Sequence, residues 1–306
     1  MDFTQLGTDI GNAINTITDI KDAILSIPDD IRNASMELLN SGHDMFSEMV
    51  TSAVELLRMS PDEWNSDGWS AISTVNTSFV ILGCTFVIIF WCMKVIADNI
   101  DIRQTMRPET MIKEGVILVI AEWFVCNSFT IFSSLFGLVD YLTSTITTGD
   151  ISPSTPDAVS DYLTTSSLGT AIVNLLPTLV YVAIMVFTGA QILYFSYVRF
   201  FKVMLIAPYG SLVTSTIAGP NSISHSAVGF FKYALSTILE AATIILAVRL
   251  GSALYSSSII GLPGAPDTIN SLGTYFRWVV HECIISFVIV GAVKEAPVIT
   301  QRALGA

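Results

Sequence analysis

Charged residues are scarce in this sequence: they make up 13% of its 306 residues, whereas 52% are hydrophobic. A soluble domain is typically about 25% charged, because its surface must face water. The mean hydropathy of +0.64 agrees with this shortage. Several apolar runs reach the length of about 20 residues that crosses a bilayer as a helix, so we predict an all-α, polytopic membrane protein.

Basic residues are the rarer of the two charge types: 14 Lys and Arg stand against 26 Asp and Glu, a net charge of −12. This argues against nucleic-acid binding through bulk charge, since phosphate contacts need basic side chains. Residues 1–70 hold 13 of the acids. On both sides of Pro28, apolar residues in this region recur at helical spacing. We predict an acidic, amphipathic helical region over 1–70 that either packs on the outer ends of the spans or offers a surface to a partner protein.

Patterns that carry catalysis or metal binding are missing. The four cysteines have no metal-ligand spacing, and all fall in apolar segments: Cys84, Cys92, Cys126 and Cys283. There is no P-loop, dinucleotide fingerprint or nucleophile elbow. His281 and Glu282 are adjacent and should point about 100° apart on a helix, so they do not form a ligand cluster. We expect no enzyme activity, no catalytic residue, no metal site and no cofactor.

The apolar segments define a transmembrane domain over residues 71–298, followed by a short cytoplasmic tail over 299–306. The expected segments are 72–96, 115–141, 170–198, 203–218, 231–254 and 276–293.

Lys and Arg are unevenly distributed between these segments. Four of them lie at the end of the first span or in the linker after it: Lys94, Arg103, Arg107 and Lys113. None occurs between Lys113 and Arg199. The positive-inside rule therefore places 97–114 in the cytoplasm and 142–169 outside, with the N-terminal region also outside.

The stretch "YVRFFKVMLIAPYG", residues 197–210, interrupts a long apolar run. A straight helix from Ala171 to Ala207 would be about 55 Å long, against a hydrocarbon core of about 30 Å. Pro208 cannot continue the helical hydrogen bonds, so we expect a break there. Segment 203–218 then either crosses fully, giving six spans, or re-enters, giving five spans and a cytoplasmic C-terminus. The distribution of later basic residues favours five.

Three ionisable residues within expected spans stand out as candidates: Glu122, Glu240 and Arg249. Each costs about 2.5–3.5 kcal/mol near the bilayer centre, so each needs a partner or a function. One interpretation is a polar conduit lining or a proton-coupled site. The other is a packing role, in an ion pair or as a protonated Glu between helices. Glu240 and Arg249 are on opposite faces of one helix and cannot pair with each other.

Residues 197–248, with a span ending in Arg199 and an Ala-Pro-containing apolar stretch at Pro208, resemble the central region of TrbL-type polytopic subunits of type IV secretion and conjugation machines. Residues 60–96, from "SPDEWNSDGW" to "WCMKVI", resemble the first-span entry of relatives from mobile elements of Gram-positive bacteria. The resemblance covers roughly residues 60–295 and makes Arg199 and Pro208 candidate functional positions. The alternative for Arg199 is an anchor that snorkels to the cytoplasmic interface.

The resemblance implies a conduit or scaffold subunit of a conjugative machine in the bacterial plasma membrane, helping to pass single-stranded DNA and attached protein. Implied partners are other secretion subunits including conjugation ATPases, the lipid bilayer, further copies of the chain, and transiently the translocated DNA or protein. One alternative function is an ion-coupled secondary transporter or small channel subunit. Another is a membrane scaffold or immunity protein without a conduit.

Overall fold

The computed structural model describes residues 28–99, 108–146, 155–255, 257 and 266–306. Within these ranges all regular structure is helical, which confirms the all-α class. The nine α-helices are α1 Pro28–Arg58, α2 Pro61–Trp64, α3 Ser66–Asn99, α4 Pro108–Ile146, α5 Asp157–Thr165, α6 Leu168–Ile206, α7 Tyr209–Thr214, α8 Asn221–Tyr255 and α9 Leu272–Leu304; a 3-10 helix, Ser215–Ala218, links α7 to α8.

Five helices of the described chain, α3, α4, α6, α8 and α9, are long and apolar enough to cross a membrane. The chain is therefore a multi-pass membrane protein by helix length and composition. These helices extend beyond the segments expected from hydropathy. For example, α9 continues through Lys294 and Pro297 to Leu304, where a tail was expected from residue 299. Hydropathy reports only the apolar part of a helix, whereas the backbone hydrogen bonds continue into polar sequence.

Segment 207–218 forms no spanning helix. Helix α6 ends at Ile206, and the chain continues in the six residues of α7 and the four of the 3-10 helix. Together these reach roughly 17 Å, about half of the hydrocarbon thickness. The expected break at Pro208 is confirmed, since this residue precedes α7 as its N-cap. The described chain thus holds five candidate spans and no sixth.

The chain divides into two compact units. Unit 1 comprises Met1–Leu56, Ile146–Tyr197 and Ile244–Glu295, and unit 2 comprises Leu57–Thr145, Val198–Thr243 and Ala296–Ala306. Helices α6, α8 and α9 contribute a part to each unit. Most of α1 belongs to unit 1, while α3 and α4 lie almost wholly in unit 2.

In unit 1, α1 packs along the side of α6. A Cβ atom added to Gly42 would lie 2.9 Å from Val182 Cγ2, and one added to Gly189 would lie 3.1 Å from Met49 Sδ. Residue 42 of α1 thus lies beside residue 182 of α6, and residue 49 lies beside residue 189. Because both numbers increase together, the two helices run parallel. The close approach at Gly42 leaves no room for a larger residue without displacing α6.

This arrangement decides part of the expectation for the acidic N-terminal region. Helix α1 begins at Pro28, where the pattern was expected to break, and its apolar face is buried. The described part therefore packs on a span, but along its side and not on its outer end. Its other face exposes Glu37, Asp44 and Glu55. The amphipathic pattern expected before Pro28, over residues 8–27, lies outside the described residues.

Unit 2 is built on the antiparallel pair α3 and α4. Trp69 stacks on Phe129 with ring centroids 4.7 Å apart, and further along, Trp91 Nε1 donates a hydrogen bond to the Glu114 carbonyl. Segment 207–218 packs against this pair: a Cβ on Gly83 would lie 2.7 Å from the Ser211 carbonyl oxygen. Only glycine permits this backbone contact. The interruption after α6 is therefore held in place by protein, as irregular backbone at membrane depth requires.

Candidate functional sites

Arg199 is buried in unit 2, with 1% of its surface exposed. Its Nη2 donates to the Ile238 carbonyl at 2.9 Å and its Nε to the Thr237 carbonyl at 3.3 Å, joining α6 to α8. The guanidinium carbon also lies 5.7 Å from the centroid of the Phe200 ring. The snorkelling alternative for Arg199 is therefore wrong in this structure, because the side chain points into protein.

Glu240 lies beside this arginine. Its carboxylate is 3.7 Å from Lys202 Nζ, and its residue is 4% exposed. The Arg199 guanidinium attracts the same carboxylate electrostatically. We call Arg199, Lys202 and Glu240 the Arg199 cluster. It places two basic groups around one acid, so the buried carboxylate is compensated, as expected for a charged group kept between spans.

Glu122 differs from Glu240 because its side chain is exposed on α4. It begins a row of exposed or half-exposed small and polar residues at steps of four, four, three and four: Glu122, Cys126, Thr130, Ser133 and Gly137. Residues at these steps share one helix face. We call this row the α4 polar stripe.

A second, apolar row occupies the neighbouring part of the exposed α4 surface. It contains Val116, Ile120 and Trp123, which are 52%, 45% and 57% exposed. The exposed surface of α4 thus has a side suited to lipid and a side that is not. The sequence identified Glu122 as a costly residue, but the rest of the stripe went unnoticed because single Cys, Thr, Ser and Gly residues are ordinary in spans.

Arg249 is half-buried on the part of α8 that belongs to unit 1. His281 and Glu282, also in unit 1, are both buried, and His281 Nδ1 lies 3.4 Å from Glu282 Oε1. The two positions are adjacent on α9, and their flexible side chains turn towards each other across the angle between them. Among the described residues, no group of three His, Cys, Asp or Glu side chains could hold a metal ion.

Sequence reasoning missed a polar network around His43. The His43 ring is buried in unit 1, with Nε2 2.8 Å from the Tyr181 hydroxyl and Nδ1 3.3 Å from Thr155 Oγ1. We call His43, Thr155 and Tyr181 the His43 cluster. Tyr181 in turn stacks on Trp278, with ring centroids 5.8 Å apart.

His43 is held neutral at pH 7. Burial lowers its pKa from 6.5 to about 4, opposed in part by a hydrogen bond to the backbone of Leu39. Its position could have been inferred, because Leu39, His43 and Phe46 fall on one helix face at steps of four and three. A histidine on a buried apolar face needs a hydrogen-bond partner on the helix that covers it.

Comparison with known proteins gives no family. Protein-family models, curated proteins and solved structures were searched, and none matches this chain. The sites described above therefore have to be interpreted from their own chemistry.

Proposed function

We propose that this protein is a conduit or scaffold subunit of a conjugative type IV secretion machine in the bacterial plasma membrane. In this role it helps single-stranded DNA with its attached protein to cross, and partner ATPases supply the energy. The observation that carries the proposal is the α4 polar stripe, a row of exposed or half-exposed small and polar residues on a candidate span. The resemblance of residues 197–248 to TrbL-type subunits supplies the kind of machine.

The stripe supports association because its residues are poorly suited to lipid. A carboxylate in the hydrocarbon costs about 2.5–3.5 kcal/mol, so Glu122 needs protein or water opposite it. Small residues such as Gly137 let helices approach closely, and hydroxyls such as Thr130 can both donate and accept hydrogen bonds across an interface. The small residues and hydroxyls of the stripe can pack against the same residues of a second copy, which supports a homo-oligomer.

The spans of unit 2 also have the surface that association requires. Each span contains an apolar stretch of 18 residues, and the share of that stretch buried inside the protein differs between helices. It is 11% for α3 and 22% for α4, but 44% for α6, 56% for α8 and 44% for α9. A scaffold subunit leaves such faces for neighbours, whereas a self-contained transporter buries its spans against one another.

The proposed orientation places the N-terminus outside and the C-terminus in the cytoplasm. It rests on the basic residues from the end of α3 to the start of α4, including Lys94 and Lys113, and on the absence of Lys and Arg from Lys113 to Arg199. The exposed acids of α1 include Glu37 and Asp44. They suit docking to other machine subunits better than binding DNA, whose phosphates they would repel.

The alternative, an ion-coupled transporter or small channel, depends on Glu122 and Glu240 as coupling groups. Glu240 is engaged by Lys202 and attracted by Arg199, an arrangement that favours helix packing over ion exchange. We therefore prefer the scaffold role for this chain.

Cysteine cross-linking in membranes tests the stripe. In a variant whose four native cysteines are replaced, Thr130→Cys places a thiol on the stripe, and Ile120→Cys places the matched control on the apolar side of α4. We expect a bifunctional maleimide to link copies through position 130 at least several-fold more than through position 120. Equal linkage at the two positions, or none at 130, would contradict an inter-copy contact at the stripe.

A pull-down from the native host tests the machine. The tagged protein, extracted in mild detergent, should co-purify with a conjugation ATPase or other transfer subunits in a multi-copy complex. Glu122→Lys should reduce this recovery, while Lys113→Gln, an exposed control on the same helix, should not. A lone monomer that still inserts would argue against the secretion role, and ion-coupled solute uptake would then be the activity to measure.

A further inference from the structure

A groove of about 620 Å³ lies between α6 and α9 within unit 1. Its walls are apolar and include Val173, Leu176 and Val180 from α6 with Phe276, Val280 and Phe287 from α9. Many of these side chains are well exposed, including Leu176 at 68% and Phe276 at 54%. The volume falls within the range of about 300–1,000 Å³ typical of small-molecule sites.

The groove faces away from α1. At about 100° per residue, Val180 and Val173 lie on the side of α6 opposite Val182, which α1 covers. Because α6 and α9 are both candidate spans, this open side faces the hydrocarbon of the bilayer. A long, flexible and apolar ligand is the natural occupant, since polar groups would find no hydrogen-bond partner among these walls.

A basic side chain, that of Arg277, lies at the edge of the groove. Arg277 is exposed on α9, four residues after Gly273 and three before Val280, both of which line the groove. It lies in the second turn of α9, which begins at Leu272. In the described chain no ion pair involves Arg277. Its guanidinium fork matches the geometry of a phosphate group.

We propose that this groove binds one acyl chain of an anionic phospholipid, whose phosphate is held by Arg277. The apolar walls accommodate the chain and the rim arginine selects the head group. An anionic head group suits this position because a zwitterionic one carries its own ammonium, which competes with Arg277 for the phosphate. The proposal requires only that α6 and α9 span the membrane and is independent of the proposed function.

Native mass spectrometry of the full-length protein in detergent tests the site. After delipidation, the protein is titrated with phosphatidylglycerol and with phosphatidylcholine of the same acyl chains. We expect one phosphatidylglycerol to bind about tenfold more tightly than phosphatidylcholine, the difference that one charge-assisted contact provides. Arg277→Gln should abolish this preference and leave weak binding of both lipids. Lys113→Gln, which removes an exposed cation of α4, is the matched control and should keep it.

Filling the groove separates the acyl chain from the head group. Val280→Trp should prevent binding of both lipids, and Gly273→Leu, a milder obstruction at the same wall, should weaken both. Val119→Trp adds the same side chain to an exposed position of α4 and should change neither. Each variant is compared only if its elution volume and thermal denaturation match those of the wild type.

Four results would overturn the proposal. The first is equal affinity of the wild type for the two lipids, and the second is an unchanged preference in Arg277→Gln. The third is displacement of bound phosphatidylglycerol by an equimolar amount of glycerol 3-phosphate, because a phosphate without acyl chains would then suffice. Retained lipid binding in both Val280→Trp and Gly273→Leu would place the chain elsewhere and equally reject the groove.

Discussion

The His43 cluster of unit 1 and the Arg199 cluster of unit 2 each bury polar groups between helices, but in different states of charge. His43 is neutral at pH 7 because burial lowers its pKa to about 4, and its partners are hydroxyls. Arg199, by contrast, meets backbone carbonyls of α8 and lies near a carboxylate, Glu240, that also pairs with Lys202.

The difference shows two ways of placing polarity among apolar helices. A neutral cluster avoids the cost of burying a charge but depends on the protonation state of one ring. An ionic cluster depends instead on every charged member being present, since a lone buried charge is strongly unfavourable. Each cluster should therefore fail under a different perturbation, which makes the comparison testable.

Removing the Glu240 carboxylate should lower the stability of the protein more than any other change predicted below. Glu240→Leu removes the single acid of the Arg199 cluster, so buried Arg199 and partly exposed Lys202 lose their counter-charge. Loss of one partner from a buried ionic group costs up to about 3–5 kcal/mol. We expect a clear fall in the thermal denaturation midpoint in detergent. The double variant Arg199→Met/Glu240→Leu should recover most of the loss, because no fully buried charge then remains and the side chain of Lys202 is 40% exposed.

The exposed carboxylate of α4 provides the control for this cycle. Glu122→Leu should change the stability of the isolated chain little, because Glu122 has no buried partner to abandon. A double variant no more stable than Glu240→Leu alone would contradict the coupling between Glu240 and Arg199.

Acidification should cause the next largest loss of stability, and this loss should arise at the His43 cluster. The pKa of His43 is lower in the folded protein than in the unfolded chain, so the unfolded chain binds more protons between pH 6.5 and about 4. Stability therefore falls as pH decreases through this window, by about 2 kcal/mol at pH 5. Hydrogen exchange in α1 should accelerate relative to pH 7.

Two histidine variants check this assignment. His43→Gln cannot take up the proton and should show a much flatter dependence of α1 exchange on pH. His225→Gln, at an exposed position of α8, should keep the wild-type dependence. A wild-type profile in His43→Gln would assign the titration to another group.

The clusters also mark the limit of inference from the sequence. The spans, the break at Pro208 and the costly residues Glu122 and Glu240 follow from local composition, helical period and backbone chemistry. Arg199 bonds to carbonyls of α8, and His43 bonds to Tyr181 of α6. Both contacts depend on which helices pack together although they are far apart in the sequence. Neither pairing has a local signature, so apolar periodicity gave the helices but not their partners.

The smallest effect is expected from a neutral hydrogen bond of unit 1. Thr178 Oγ1 and the Tyr275 hydroxyl are 2.7 Å apart and both side chains are buried. Tyr275→Phe should cost about 1 kcal/mol, because the Thr178 hydroxyl keeps its bond to the Asn174 carbonyl. Thermal denaturation of the wild type and of Tyr275→Phe at pH 7 and pH 5 measures this loss of stability. The loss should be equal at both pH values, since neither hydroxyl titrates in that range; a loss confined to pH 5 would mean that this bond is coupled to the protonation of His43.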